Sequence, residues 1–212
     1  MTTTVLLTGF EPFGGDDRNP SAEAVDAVAA RWAGPETLVA ATLPVAFDEA
    51  ARELRALIDE TDPDVVIATG LAGGRTAVTP ERVAINLVDA RIPDNAGRQP
   101  ADEPSVAGAP NALFATLPTK AIAAAIREAG IPSAVSYSAG TFVCNHVAFA
   151  ASHATEGRDA RAGFVHLPWS DETAPDGAPS LPAADLARAL EIAIRTALDT
   201  PQDLAEPGGA IH

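Results

Sequence analysis

Cys144 is the only cysteine in the 212-residue chain, and its predicted position suits a nucleophile. It follows a predicted strand and a short loop, and it opens a predicted helix. The positive end of a helix stabilises a thiolate and lowers the thiol pKa, and the thiolate is the attacking species in cysteine-dependent catalysis. A lone cysteine is also a common small buried residue. The position therefore leaves two interpretations, a nucleophile and an inert core thiol.

A cysteine nucleophile needs a base, which is usually a histidine, and the chain has four. His166 ends an apolar strand at the same predicted sheet edge as Cys144, where it can act first as base and then as acid toward a leaving amine. His146 follows Cys144 by two positions on one helix and points away from it, and His153 lies further along that helix. His212 belongs to the C-terminal tail. Elimination favours His166, with a core histidine bonded to a main-chain carbonyl as the alternative interpretation.

A third group usually orients the histidine and stabilises its charged form. Glu81 and Asp89 both lie near predicted strand ends, but the chain contains 29 acidic residues, most of which are expected to be solvated surface charges. The pattern alone does not choose between these carboxylates.

Phe10, Phe13 and Phe142 lie in loops at the presumed edge of the site, although only 5% of the residues are aromatic. They are either ordinary core residues or the walls of a small apolar pocket. The glycine-rich segment 10–20 has neither the Lys-Ser/Thr end of a Walker loop nor the spacing of a dinucleotide fingerprint. The His, Cys and Asp residues show no metal-ligand spacing, so neither a metal nor another cofactor is expected.

Strands that alternate with helices position these residues. Strands are predicted at 4–9, 38–43, 65–68, 83–87, 134–138 and 163–167, and helices at 20–32, 47–58, 119–129, 144–153 and 183–198. This alternation predicts an α/β sandwich with a largely parallel central sheet, whose site lies at the carboxyl ends of the strands. We expect a single domain over 1–199, a loose tail over 200–212, and a functional or mobile loop over 89–111.

Composition excludes several classes of partner. The net charge is −15 without a basic cluster, so binding to nucleic acid or to an anionic membrane surface is not expected. The sequence contains no apolar run of membrane-spanning length and no basic, apolar leader. One cysteine cannot form an internal disulfide. A cytoplasmic location is the expectation.

Four motifs carry a resemblance to a known family. They are TGFEPFGG followed by residues 19–21, GGRT followed by residues 81–86, the segment 89–95, and AGTFVCNHV around Cys144. Together they make the chain, from about 5 to about 198, resemble the type I pyroglutamyl peptidases, a family of cysteine peptidases.

This resemblance implies a three-layer α/β/α fold. It also implies hydrolysis of the amide that follows an N-terminal pyroglutamyl residue, with release of free pyroglutamate from peptides. The family's nucleophile, base and carboxylate fall on Cys144, His166 and Glu81, which settles the choice of carboxylate. The family also implies a homo-oligomer, either a dimer or a tetramer.

The resemblance further implies which residues bind the substrate. Phe10, Phe13, Phe142 and Val143 match the pyroglutamyl pocket, Arg91 lies on a loop beside the site, and Asn19 belongs to the first motif. Leu71 stands where members often have glutamine. If that side chain holds the ring, the leucine removes a polar contact; if only the main chain reads the ring, little changes.

Two other functions are weighed against this expectation. The first is a different Cys-His-Glu amidase, such as a glutamine amidotransferase-like domain, but the glycines that flank the nucleophile in such an elbow are absent around Cys144. The second is a non-catalytic binding protein on the same fold, in which Cys144 is an inert core thiol. The rate of alkylation of the thiol separates these interpretations.

Overall fold

The computed structural model describes residues 2–209 and contains strands and helices in alternation. In chain order they are β1 (Thr4–Phe10), α1 (Pro20–Arg31), β2 (Thr37–Leu43), α2 (Phe47–Thr61), β3 (Val65–Leu71), β4 (Thr79–Glu81), β5 (Val83–Ile85), β6 (Ala112–Phe114), α3 (Thr119–Glu128), α4 (Val143–Ala154), β7 (Arg161–Leu167), β8 (Trp169–Ser170), β9 (Ser180–Leu181) and α5 (Ala183–Asp199).

The central sheet has five strands in the order β2-β1-β3-β7-β4. The first four run parallel, and β4 runs antiparallel to β7 at the edge. Every residue of β3 is buried, as expected for a parallel strand that helices cover on both faces. The mixed sheet confirms the predicted α/β class.

Alternate residues of the strands divide the core into two halves. Leu6, Val66 and Phe164 pack with α2 and α4 on one face of the sheet. Their neighbours Val5 and Ile67 pack with α1, α3 and α5 on the other. Side chains of successive strand residues point to opposite faces, so the two clusters are the two interfaces of a three-layer α/β/α sandwich.

The helices begin where capping and periodicity predict. Asn19 caps α1, because its side chain accepts a hydrogen bond from Ser21 N at 3.0 Å and Pro20 occupies the first helical position. Helix α2 buries one face, and Asp62 ends it in the left-handed region at φ 41°.

Short strands near the site differ from the prediction. The strand predicted over 134–138 is wrong: this segment makes only isolated bridges, Val78 with Ser133 and Glu81 with Ser136. It borders β4, which has three residues and contains Pro80, so a long ladder does not form there. The strand predicted over 83–87 stops at Ile85 and pairs with β6 in a separate two-stranded sheet. Strands β4, β6, β8 and β9 were not predicted.

The long loop over 89–111 is anchored to the body of the domain through Asp94. This carboxylate is buried and accepts a hydrogen bond from Phe47 N at the start of α2 at 2.9 Å. It also accepts one from Arg98 N within the loop at 2.7 Å. Asn95 donates to the Glu11 carboxylate at 2.8 Å, which joins the loop to the segment after β1.

The segment after α5 contacts the body of the domain. Asp203 accepts hydrogen bonds from Lys120 N and Ala121 N at 3.0 Å at the start of α3, and Tyr137 donates to Gly208 O at 2.8 Å. Residues 210–212 of the predicted loose tail, including His212, lie outside the described residues. None of the helices in 2–209 combines the length and the apolar character that crossing a bilayer requires.

Candidate active site

Antiparallel pairing of β4 with β7 brings Glu81 to His166. Thr79 lies opposite His166 and Glu81 lies opposite Phe164, so Glu81 and His166 are diagonal neighbours on one face. Diagonal positions are about 7–8 Å apart, within reach of long side chains. His166 Nδ1 lies 2.7 Å from Glu81 Oε1, with the two side chains 4% and 2% exposed.

Cys144 approaches the same face of the sheet from α4. Gly70 pairs with His166 in the parallel register of β3 and β7, and paired residues of parallel strands point to the same face. A Cβ built on Gly70 would lie 2.8 Å from Cys144 Sγ. The thiol therefore occupies the space that a side chain at position 70 would fill, beside the imidazole.

The close approach at Gly70 makes a prediction. In Gly70→Ala the new methyl group meets Sγ at 2.8 Å and Phe164 Cζ at 3.0 Å, so the thiol must move away. We expect kcat of a reaction in which this thiol is the nucleophile to fall by about 10²-fold, as a displacement of about 1 Å at a reacting atom does.

The matched control is Gly163→Ala on β7. Its Cβ would meet Leu117 Cδ1 at 2.7 Å, an equal crowding against the apolar core of the other face. Steady-state kinetics and thermal melting of both variants should show similar losses of stability, with the loss of kcat confined to Gly70→Ala. Equal losses of kcat would contradict the placement of the thiol.

The surroundings of Cys144 correct the expected thiol pKa. Burial, together with the charge of Glu81, raises the pKa of Cys144 to about 12, although the charge of Arg75 opposes the rise. The helix terminus was expected to lower the pKa, but it does not compensate for the loss of solvent around the sulfur. The free site therefore holds a thiol at neutral pH.

At neutral pH the protonation states of Glu81 and His166 allow His166 to act as a base. Burial by itself raises the pKa of Glu81, but the hydrogen bond from His166, together with the positive charge of Arg75, outweighs it, so the pKa lies below its usual value. Burial lowers the pKa of His166, against the opposing effect of Glu81. An ionised carboxylate accepts the proton of Nδ1, which leaves the Nε2 lone pair of a neutral imidazole free to take a proton.

The start of α4 offers main-chain donors next to the thiol. The first main-chain bond of this helix runs from His146 N to Phe142 O at 3.2 Å. The N–H groups of Val143, Cys144 and Asn145 precede it, and helix geometry provides no carbonyl for them. Such donors can stabilise negative charge on a substrate oxygen.

Aromatic side chains meet beside Cys144 and His166. Phe142 lies 6.2 Å from Phe13 and 5.3 Å from Phe47 between ring centroids. Phe10 lies 6.5 Å from Phe164, whose ring is 4.7 Å from that of His166. Phe47 and Phe164 thus join the three phenylalanines expected at the pocket. Phe10 was expected in a loop, but it is the last residue of β1.

Main-chain groups of Leu71 face a gap between two strands. Pairing of β1 with β3 ends at Thr8 and Ala68, whereas pairing of β3 with β7 continues to Leu71. Ala72 N donates to Leu167 O on β7, so the N–H and C=O of Leu71 point the other way, toward the gap. The Leu71 side chain lies on the face opposite Gly70 and Cys144.

The remaining predicted residues have other surroundings. Asn19 is buried, and besides capping α1 it donates to Glu11 O at 2.9 Å, so it holds the loop after β1. Val143 is buried in the core beneath the start of α4. Arg91 and Asp89 are exposed on the long loop.

The other histidines within 2–209 are engaged elsewhere. His146 Nδ1 lies 2.7 Å from Ser105 Oγ, and His153 stacks on Phe149 at 6.2 Å. Among these described residues no group of three or more His, Cys, Asp or Glu side chains is placed to hold a metal ion.

One contact of the site was not predicted from the sequence. Arg75 contacts Glu81 at 2.7 Å, and its only local signal is a position six residues before that carboxylate in the GGRT loop. Cavity volume does not locate the site either. A groove of about 660 Å³ lies beside Trp32 and Arg188, between α1 and α5, in the layer across the sheet from Cys144.

Comparisons with known proteins agree with this geometry. The family model described as pyroglutamyl peptidase matches residues 3–200. The pyrrolidone-carboxylate peptidase of Erwinia tasmaniensis is 52% identical over 98% of this chain and 99% of its own length, and that of Streptomyces coelicolor is 53% identical over 99% and 100%. The crystal structure of pyroglutamyl peptidase I from Bacillus amyloliquefaciens superposes with a TM-score of 0.93 at 44% identity, covering 98% of this chain and 100% of that one. The chain belongs to the pyroglutamyl peptidase family.

Proposed function

We propose that Cys144, His166 and Glu81 are the nucleophile, the base and the orienting carboxylate of a cysteine peptidase that removes an N-terminal pyroglutamyl residue from peptides. The activity follows from membership of the family and from relatives of about half-identical sequence over their whole length. One observation supports the assignment of roles: the buried 2.7 Å contact of His166 Nδ1 with Glu81 Oε1, next to the strand position that Cys144 Sγ fills.

The charges of the free site define the first step. As Sγ attacks the carbonyl carbon that joins the ring to the next residue, the neutral His166 takes the thiol proton through Nε2. The new S–C bond places negative charge on the carbonyl oxygen, near the N–H groups of Val143 and Cys144. Losing one such donor typically costs about 10²–10³ in rate.

The second half of the reaction returns the site to its starting state. The C–N bond breaks, and the His166 imidazolium gives its proton to the leaving amine. A thioester between the pyroglutamyl group and Cys144 remains. His166 then takes a proton from a water that attacks the thioester, and it returns that proton to the sulfur as pyroglutamate leaves. Glu81 stabilises the imidazolium in both halves.

The gap between β1 and β3 suits a lactam ring. The ring is flat and neutral, with one N–H and one C=O, which complement the C=O and N–H of Leu71. Phe10, Phe13 and Phe142 offer apolar walls for its CH₂ groups. A site built on paired hydrogen bonds rejects residues that leave those groups unpaired, so a free N-terminal glutamine is a poor substrate.

The position of Leu71 gives a prediction for Leu71→Gln. The side chain lies across the sheet from Cys144, and only the main chain faces the gap, so we expect KM and kcat to stay within about twofold of the original values. Steady-state kinetics with a pyroglutamyl amide measure both constants. A KM that changes several-fold while kcat is constant would mean that this side chain contacts the ring.

The experiment that tests the function measures fluorophore release from pyroglutamyl-aminomethylcoumarin, with and without prior alkylation by iodoacetamide. Because Cys144 is the only cysteine, alkylation reports on one atom. We expect release that alkylation blocks, and no release from the glutaminyl analogue. No release by folded protein would contradict the proposed function, and release from other blocked amides alone would indicate a different amidase.

We also infer that the enzyme works in the cytoplasm as a homo-oligomer, a dimer or a tetramer. A single cysteine suits a reducing compartment, and the family resemblance supports assembly. Light scattering coupled to size exclusion measures the mass in solution. A mass of one chain across a wide range of concentrations would contradict the oligomer.

A further inference from the structure

Arg75 lies in the loop between β3 and β4, at the border between the triad and solvent. Its Nη1 donates to Glu81 Oε1 at 2.7 Å and also to Thr79 Oγ1. Its Nη2 donates to Ser138 O at 3.0 Å, in the segment that leads to α4 and Cys144. The guanidinium thus joins the strand that carries the carboxylate to the segment that carries the nucleophile.

The contact with Glu81 is made on the oxygen that His166 uses. Oε1 receives Nη1 of Arg75 and Nδ1 of His166, each at 2.7 Å. The Glu81 side chain is 2% exposed, whereas that of Arg75 is 26% exposed. A carboxylate this deeply buried is unfavourable unless it is paired and hydrogen-bonded, and a guanidinium supplies both a charge and directed donors.

We propose that Arg75 is a positioning residue of the triad, which holds the Glu81 carboxylate against His166 and whose charge disfavours the imidazolium. The proposal rests on the roles proposed above for Cys144, His166 and Glu81. Arg75 does not need to touch the substrate to act in this way.

The direction of its effect follows from the charges around His166. Within 2–209 the charged groups that act on the imidazole are Glu81 on β4 and Arg75 on the loop between β3 and β4. The titratable Cys144 on α4 lies beside the imidazole, against Gly70. The positive charge of Arg75 disfavours the imidazolium and lowers the pKa of His166, against Glu81. It also opposes the rise of the Cys144 pKa, because it favours the thiolate.

Removing this charge should therefore move two titrations in the same direction. In Arg75→Met the imidazole stays protonated to higher pH, so the acid limb of kcat/KM should shift upward by about one unit. The maximal kcat/KM should also fall, by about 10- to 100-fold, because Glu81 loses a partner that orients it. Arg75→Lys keeps the charge and should leave the acid limb in place. It should still lower kcat, because an ammonium group lacks the planar, two-nitrogen geometry of the guanidinium.

The matched control is Arg82→Met, next to Glu81 in sequence. Arg82 donates to Ala115 O at 3.0 Å and lies over the Phe114 ring at 4.8 Å, so it contacts β6 and the residue after it and not the Glu81 carboxylate. We expect its pH profile to match that of the original protein. If Arg75→Met does not fold, Arg75→Gln removes the same charge while it retains an amide donor for Glu81.

A second readout does not depend on the substrate. The rate of alkylation of the single cysteine by iodoacetamide, measured against pH, titrates the thiol in place. Neutral variants at position 75 should shift this curve to higher pH, whereas Arg75→Lys and Arg82→Met should not. If the alkylation curve shifts in the neutral variants but the original protein itself does not turn over the substrate, the proposed function is refuted and the role of Arg75 stands. A uniform loss of activity, with both curves unmoved, would show that Arg75 only packs the loop and would overturn the inference.

Discussion

Replacing Cys144 with alanine is expected to lower kcat/KM for a pyroglutamyl amide by at least about 10⁴-fold, to the background that binding and the main-chain donors alone provide. The substitution removes the proposed nucleophilic atom. It leaves the backbone of α4 and the His166–Glu81 contact in place. The fold should survive, because the sulfur lies against Gly70 at the edge of the core and not within it.

Cys144→Ser is the companion variant, because it keeps a hydroxyl at the same position. Oxygen is a weaker nucleophile than sulfur in a site shaped for a thiol, so its activity should also be lost. Circular dichroism and thermal melting report whether both variants are folded. Activity comparable to that of the original protein in either folded variant would remove Cys144 as the nucleophile.

Replacing His166 with alanine is expected to lower kcat/KM by about 10³- to 10⁴-fold, while His153→Ala keeps most of the activity. The Cys144 thiol has a raised pKa, so without a base almost no thiolate exists at neutral pH. His153 is the matched control, because it is a histidine 37% exposed at the end of α4, stacked on Phe149. Loss in His153→Ala with retention in His166→Ala would assign the base elsewhere.

His166→Asn distinguishes the loss of the base from a loss of folding. Its amide can donate to Glu81 in place of Nδ1, which keeps the buried carboxylate paired, but it provides no base toward the sulfur. We expect this variant to melt near the original temperature with the same loss of activity. Alkylation should slow as well, because His166 is the proposed base that takes the thiol proton. Rapid alkylation of folded His166→Asn at neutral pH would mean that the thiol ionises without this base.

Local sequence was sufficient for the elements that carry Cys144 and His166. Buried, mainly apolar runs specify β3 and β7, and Asn19 with Pro20 specifies the start of α1. These signals act over a few residues, because strand and helix periodicity and capping are local properties of the chain. They placed a thiol at a helix start and an imidazole at a strand end. Family motifs then connected both to a carboxylate and to pyroglutamyl substrates.

Tertiary structure alone decided how these groups interact. Glu81 reaches His166 through the register of an antiparallel edge strand of three residues, and a strand that short, with Pro80 in it, has no periodic signal. The raised pKa of Cys144 comes from the burial of its sulfur between the start of α4 and the sheet, and from the charge of Glu81. Both depend on chain segments far apart in sequence. The contact of Arg75 with Glu81 likewise forms only once the loop after β3 folds over β4. Desolvation and cross-strand contacts arise when distant segments pack, so residue types and spacing determined which groups are present, and packing determined their charge and direction.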